Sequence, residues 1–377
     1  VKTGCELSIR SACKDIEPLN EPSDATLRIL LVADTHLGFD LPFRPRLDKR
    51  RRGPDFFANF ERTLQPALDG KVHLVIHGGD LFFRSKVPQA LIPIALEPLL
   101  RVAQTGVPVL IVPGNHERGH IPLHLWTAHP NLYIFDHPKT LQFDIAGNHV
   151  SFSGFPYTRQ IRANFSKTLT LTGYRQVRAD ISLLCMHQVV EGAKVGPSDY
   201  TFRSNPDVIR SAEIPADFCA VLSGHIHRSQ KLTHALDGRP LAAPVIYPGS
   251  VERTSFAERD EKKHYVILEV APGATPGGRL VDVKFVPLPT RPMLQIDLPV
   301  QGMDAVQLER AIRKRLASLD PNAVVRIRPQ GSLSQDAQKV LQAASLRKLA
   351  PTSMDVSIPW KINSGGVSRN SQDNAVK

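Results

Sequence analysis

Leu110-Ile111-Val112-Pro113-Gly114-Asn115-His116-Glu117 is an apolar run that stops at a proline and a glycine, then presents an amide and an imidazole. The amide can ligate a hard metal and the imidazole can move a proton. Alone, the tetrapeptide Gly-Asn-His-Glu carries little weight. Four other stretches repeat its design. Leu27 to Ala33 ends in Asp34-Thr35-His36, and Val72 to His77 ends in Gly78-Gly79-Asp80-Leu81. Ile181 to Met186 ends in His187, and Phe218 to Ser223 ends in Gly224-His225-Ile226-His227. Each β-like run thus delivers a metal-ligand residue type at its C-terminal end. Ligands of open α/β sheets bind outside the carboxyl ends of the strands, so five such ends can converge. Asp34 and His36 are two apart, as are His225 and His227, so in extended chain each pair points to one side. Asp, Asn and His form a mixed O/N set. That set suits two first-row metal ions better than a thiolate zinc site or an all-oxygen calcium cage.

Size and composition are compatible with this picture. The 377 residues hold one large domain and a smaller one, and an apolar fraction of 42% is enough for a buried core. Cys185 and Cys219 fall inside expected strands, and Cys5 and Cys13 lie near the start. None shows zinc-site spacing or a disulfide framework, so a reducing, cytoplasmic setting is expected. Val1 to Asn20 has no apolar core of a signal peptide. Leu91 to Leu100, the longest greasy stretch, is far too short for a bilayer, so no membrane association is expected. The net charge of +11 and a pI near 9.6 point to a polyanionic partner, with ordinary surface lysine and arginine as the plainer alternative.

Along the chain, residues 1–26 read as a loose leader. After the first motif comes a basic loop, Arg44 to Arg52, with six basic residues against one acid. A helix is expected from about Pro54, with Phe56, Phe57, Phe60 and Leu64 on one apolar face as core rather than as a base-stacking platform. A second helix follows Pro88, carrying Leu91, Ile94, Ala95 and Leu99. Strand-like runs at Tyr133–Phe135, Leu141–Ile145 and His149–Phe155 suggest a second sheet packed on the first. Another basic stretch lies between Arg159 and Arg178. The Pro-rich joint Pro287 to Pro292 is the best domain boundary. It divides residues 27–290 from a small strand–helix–strand unit at 291–360. In that unit Asp304 and Gln307 make a capping-box-like start to a helix with Leu308, Ile312, Leu316 and Leu319 on one stripe. Residues 361–377 are Ser/Asn/Gly-rich and expected to be disordered.

The series Asp-x-His, Gly-Gly-Asp, Gly-Asn-His-Glu, His and Gly-His-x-His resembles the calcineurin-like metallophosphoesterases. The residues between the motifs resemble the SbcD-like DNA-repair exonuclease branch: Arg52-Gly53-Pro54-Asp55-Phe56-Phe57, Asp80-Leu81-Phe82 with Arg84-Ser85-Lys86-Val87-Pro88, and Tyr247 to Phe256 followed by Glu258. Lys263-His264-Tyr265 stands where Lys-Gly-Tyr is more usual. The resemblance spans roughly Leu27 to Trp360. It implies an α/β fold, a four-layer αββα metallophosphoesterase sandwich with a small C-terminal α/β capping domain.

It further implies that Asp34, His36, Asp80 and His227 hold one divalent ion, and Asp80, Asn115, His187 and His225 the other, with Asp80 bridging. Manganese is the usual ion of such proteins, and the donors also accept Fe2+ or Zn2+. The expected reaction is hydrolysis of DNA by a hydroxide activated between two ions, with His116 as the acid. Arg44, Arg46, Arg50, Arg51 and Arg52 are the expected phosphate contacts. Two alternatives stand: a phosphoesterase for a small nucleotide or phospho-substrate, and a non-catalytic interaction module. An SbcC-like ATPase partner also follows from the resemblance, but the short polar tail after Trp360 gives it no support. The oligomeric state stays open, with a homodimer among the alternatives.

Overall fold

Residues 26–40, 51–117 and 129–359 are described in the structure, a computed structural model. Most of the leader, Arg44, Arg46 and Arg50 in the basic loop, and the tail lie outside them.

The strand Leu27–Val32 shows how the layers arise. Leu27, Ile29 and Leu31 face one buried cluster, whereas Leu30 and Val32 face another. A strand covered on both faces reads as a nearly continuous apolar run instead of an alternation. That is why the runs ahead of the motifs look alike in sequence. The first sheet has the order Arg279–Leu288, Lys263–Ala271, Leu27–Val32, Leu74–His77, Val109–Ile111, Leu132–Ile134. Its last four strands are parallel, and Lys263–Ala271 is antiparallel to Leu27–Val32.

Helices α1 (Gly53–Leu68) and α2 (Leu91–Gln104) cover the outer face of this sheet. Phe56, Phe60 and Leu64 of α1 join Ile92, Ala95 and Leu99 of α2 over Leu30, Val75 and Val109. Phe57 is only partly buried, and Ile94 is 58% exposed. Full burial of each such Phe or Leu contributes about 1.5–3 kcal/mol.

The second sheet has the order Gln230–His234, Pro240–Tyr247, Ala220–Ser223, Ile181–Met186, Asn148–Gly154, Lys139–Ile145. Phe152, Leu183, Leu222 and Ile246 of this sheet meet Ile29, Leu31 and Ile76 of the first. On its outer face Leu184, Met186 and Val221 pack with Ile161, Phe165 and Leu169 of helix α3 (Ile161–Leu171). The four layers are therefore helix, sheet, sheet, helix. Helix α3 occupies what the sequence suggests is a basic stretch. Arg162 there is ion-paired with Glu191 at 2.9 Å, and Arg175 lies 5.2 Å over the Tyr174 ring.

Beyond the Pro-rich joint, Met293–Pro299, Val324–Gln330 and Asp355–Ser357 form a separate parallel sheet. Parallel neighbours need crossovers, which are supplied by α4 (Ala305–Ala317) and by α5 (Gln335–Val340) with α6 (Ala343–Leu349). Leu308, Ile312, Leu316, Val325, Ile327 and Leu346 make a core of their own. The Asp304–Gln307 capping box is formed in both directions. One helix is expected near Ser334–Leu349, and the structure has two, broken where Gln342 is extended. Leu341 and Leu346 are both buried. Five residues apart they would point to different sides of one straight helix, and the break turns both inward. No helix among the described residues is long and apolar enough to cross a membrane.

Candidate metal centre

Leu27–Val32, Leu74–His77 and Val109–Ile111 end side by side in the first sheet, and Ile181–Met186 and Ala220–Ser223 do so in the second. The segments after these five ends are stitched together. Asp34 N donates to Gly79 O at 2.9 Å, and His36 N to Asp80 O at 3.0 Å. Across the two sheets, His225 N lies 3.1 Å from Asp34 Oδ2, and His187 Nδ1 donates to Gly78 O at 2.7 Å. The backbone is strained to achieve this. Asp34 (φ 51°), His36 (φ 45°), Asp80 (φ 51°) and His225 (φ 81°) all sit in the left-handed region that side chains disfavour.

The structure brings together all seven side chains of the expected ligand set. Asp34, His36 and His227 form one group with mutually close ligand atoms, the two Nε2 atoms being 2.9 Å apart. Asn115 Oδ1 centres the other, 3.0 Å from His187 Nε2 and 2.7 Å from His225 Nδ1. Asp80 lies between them. It groups with Asp34 and His187 on one side and with His36 and His116 on the other, and its Oδ1 is 3.6 Å from His187 Nε2.

Three observations fit this arrangement to divalent ions. Donors bonded to one ion at about 2.0–2.2 Å, at near right angles, stand about 3 Å apart, as the paired imidazoles do. A Cβ on Gly79 would collide with the His187 ring, and one on Gly114 with the Asp80 carboxylate, so the cradle closes only around glycine. Finally, Asp34, Asp80 and His187 are all buried with ligand atoms within 4.8 Å of one another, a density of donors that a cation satisfies.

Charge in this buried cluster is unevenly distributed. Burial pushes the Asp34 carboxyl up, although His187 and His227 pull against it. Burial also works against ionised Asp80, yet His187, His36 and His116 hold that carboxyl well below its usual range. His225 is driven down to about 3, first by burial and then by the neighbouring His187. His187 is lifted to about 9 because the Asp80 charge and hydrogen bond overcome its burial. The proton on His187 balances the Asp80 charge, and a cation bound to the same donors would take that place and release it.

His116 is placed differently from the seven. Its backbone N donates to Asp80 Oδ1 at 2.9 Å. Its Nδ1 meets Phe83 O at 2.6 Å and so carries a proton, leaving Nε2 3.7 Å from Asp80 Oδ2 with the side chain 30% exposed. The Phe83 ring stands 6.0 Å from His116 and 6.1 Å from His36, and Tyr157 lies 5.6 Å from His225. Sequence reasoning gives neither aromatic a role. Glu117 explains the end of its motif: it accepts from Gly114 N at 2.8 Å, Phe82 N at 2.9 Å and Asp80 N at 3.1 Å. Behind His227 stands a further acid, Glu258, 3.2 Å from Nδ1. The sequence shows Glu258 only as part of a family-like loop.

Of the expected phosphate contacts, Arg51 is ion-paired with Asp40 at 2.6 Å. Arg52 must be corrected. It is 6% exposed, donates to Arg253 O and lies 3.7 Å from Glu252. Its charge is spent inside the protein, and it does not face a ligand.

Residues 27–229 match the family model for calcineurin-like phosphoesterases. The chain is 30% identical over 311 residues to the DNA double-strand break repair protein Mre11 of Haloferax volcanii, covering 81% of this chain and 62% of that one. It is 26% identical over 277 residues to a component of the nuclease SbcCD of Bacillus subtilis, covering 66% and 67%. The chain spans roughly half to two thirds of the length of the relatives it matches. Among solved structures, a dimetal phosphatase from Danio rerio is 14% identical and covers 71% of this chain and 100% of its own, with a TM-score of 0.40.

Proposed function

The chain belongs to the calcineurin-like phosphoesterase family, and we propose that within it the protein is a DNA phosphodiesterase working with two divalent ions, Mn2+ first among them. One observation carries this: seven O/N donors from five strand ends meet in two groups that share Asp80. Asp34, His36 and His227 would hold one ion, and Asn115, His187 and His225 the other. Asp80 has an oxygen for each. Two ions so held would supply positive charge for a phosphoryl group in transfer and a nucleophile near neutral pH.

The side chains do the rest. Asn115 contributes an oxygen without adding another negative charge beside a phosphate. His116, with Nδ1 tied to Phe83 O, presents Nε2 at the edge of the cluster, where it can donate a proton to a leaving oxygen. His116 also groups with His36 and Asp80 at ligand-like distances, so its role as acid is part of the proposal. Duplex DNA is favoured over a small ester by the net charge of +11 and by the likeness to a DNA repair protein and a nuclease. The same likeness makes an SbcC-like ATPase the partner to seek by co-purification.

The test is a nuclease assay with purified protein, Mn2+ and end-labelled duplex, alongside Asp80→Asn. Wild type should degrade the duplex and carry two ions. The variant should lose activity and bind fewer ions at both sites together. Unchanged metal content and turnover in Asp80→Asn would remove the bridging role, and an inert wild type would remove the nuclease.

A further inference from the structure

The segment from Ser250 to Lys263 holds a buried ion pair that the chemistry above leaves unused. Lys263 is fully buried, and its Nζ reaches Glu258 Oε2 at 2.6 Å, Glu261 Oε2 at 3.0 Å and His227 O at 3.0 Å. All three ammonium protons are thereby placed. The other oxygen of Glu258, Oε1, accepts from the Thr254 hydroxyl at 2.6 Å and lies 3.2 Å from His227 Nδ1. A buried ion pair is weak evidence of stabilisation, because apolar groups of the same volume often serve as well. Its geometry points to a different purpose.

A carboxylate facing Nδ1 keeps the proton there and leaves the lone pair on Nε2. That Nε2 is the atom 2.9 Å from His36 Nε2. The other histidines of the cluster are not backed in this way. His187 Nδ1 faces the neutral Gly78 carbonyl, His225 turns its Nδ1 to the centre, and His36 Nδ1 has no partner among the described residues.

We propose that Glu258, held by Lys263 and Thr254, is a positioning residue that fixes the tautomer and orientation of His227 toward the ion shared with Asp34 and His36. A carboxylate behind a ligating histidine also raises its basicity, and losing such a partner costs about 10–100-fold in metal affinity. The role is selective: it acts on one of the two ions. It rests on the two-ion assignment made under Proposed function.

The experiment titrates Mn2+ alone into wild type, Glu258→Gln/Lys263→Met, His227→Ala and Asn115→Ala, reading free Mn2+ by electron paramagnetic resonance. Thermal unfolding of each metal-free protein is recorded beside it. The double variant neutralises the Glu258–Lys263 pair with side chains of similar volume, and Glu261, which also meets Lys263 Nζ, keeps its charge with its side chain 13% exposed. It should unfold near the wild-type temperature and bind one Mn2+ about 10–100-fold more weakly, with the second unchanged. The weakened ion should be the one lost in His227→Ala and kept in Asn115→Ala. Equal affinities in wild type and a folded double variant overturn the role, as does equal weakening of both ions. If the double variant does not fold, Thr254→Val takes its place. It removes the hydroxyl that bonds Glu258 Oε1 at 2.6 Å and lies 3.3 Å from His227 Nδ1, and should weaken the same ion by a smaller factor, and an unchanged isotherm overturns the role. Wild type that takes up no Mn2+ overturns the functional assignment too, whereas two ions in wild type with no selective loss overturn this role alone.

Discussion

At the scale of single residues, the cluster separates the donors proposed to ligate from groups that hold the frame. His77 belongs to the frame. Gly79 N donates to its Nδ1 at 3.3 Å, so Nε2 carries the proton and meets Thr35 Oγ1 at 3.0 Å, which in turn donates to Leu81 O. Burial, followed by the His187 charge, pushes its pKa down to about 3. The unfolded chain therefore binds a proton that the folded one refuses between about pH 6.5 and 3. This contribution to stability is complete above pH 6.5 and lost as pH falls toward 3, by up to about 1.4 kcal/mol per pH unit. His77→Asn should be less stable than wild type at pH 7.5, with the gap narrowing on acidification in chelator. Denaturant melts at several pH values check this, and a constant gap would contradict it. His116 marks the other class. His116→Ala should retain both ions and DNA affinity while turnover falls by about 10²–10⁴-fold, and near-wild-type cleavage would exclude it as the acid. The seven donors are legible in the sequence because each follows an apolar run. Glu258 and Phe83 are not, since what places them is contact across the chain: Glu258 is 31 residues from His227 and Phe83 is 33 from His116.

At the scale of elements, legibility follows burial pattern. Strands covered on both faces announce themselves as nearly continuous apolar runs, as Ile181–Met186 does with only Ser182 polar. Helix α3 escapes sequence reading because its apolar positions Ile161, Phe165 and Leu169 are spaced among Arg162, Lys167 and several polar residues. Nor does any sequence period reveal how the C-terminal unit is attached, for that is done by arginines reaching distant carbonyls. Arg52 donates to Arg253 O, and Arg253 Nη1 to Arg291 O at 3.1 Å. Arg291 continues to Asn322 O at 2.5 Å and Ser353 O at 2.6 Å, with Asp55 of α1 3.4 Å away. Beside this ladder Phe256 packs with Met293 and Val324, and Arg326 lies 4.0 Å over its ring. Hydrogen bonds from a charged donor are worth about 1.5–3 kcal/mol each. Arg291→Met should therefore loosen residues 293–357 while leaving the two large sheets intact. Hydrogen exchange is expected to quicken in Val324–Gln330 and stay slow in Leu27–Val32. Equal protection in both regions would show that the ladder does not hold the unit in place.

At the scale of the whole molecule, the +11 charge fits the proposed polyanionic partner but points to no surface that would meet it. Arg50, Arg51 and Arg52 are three of the five contacts expected from sequence, and replacing all three would confuse two effects because Arg52 is an internal strut. Arg84 and Lys86 are better placed. Both are exposed, and the Arg84 guanidinium lies 5.5 Å from the Phe83 ring that borders His36 and His116. If duplex is the substrate, one held at the proposed metal centre would pass this rim, whereas a small ester would reach only the cluster itself. Each phosphate contact contributes about 0.9 to the log–log slope of binding against salt for B-DNA. Arg84→Ser/Lys86→Ser should therefore bind duplex more weakly, with a slope flatter by about 1.8. Hydrolysis of a chromogenic diester should stay near wild type, since no donor of the metal cluster is altered. The measurement needs both substrates, several salt concentrations and one Mn2+ buffer. An unchanged salt slope would move the DNA path elsewhere on the surface, and a loss confined to the small ester would count against DNA as the substrate.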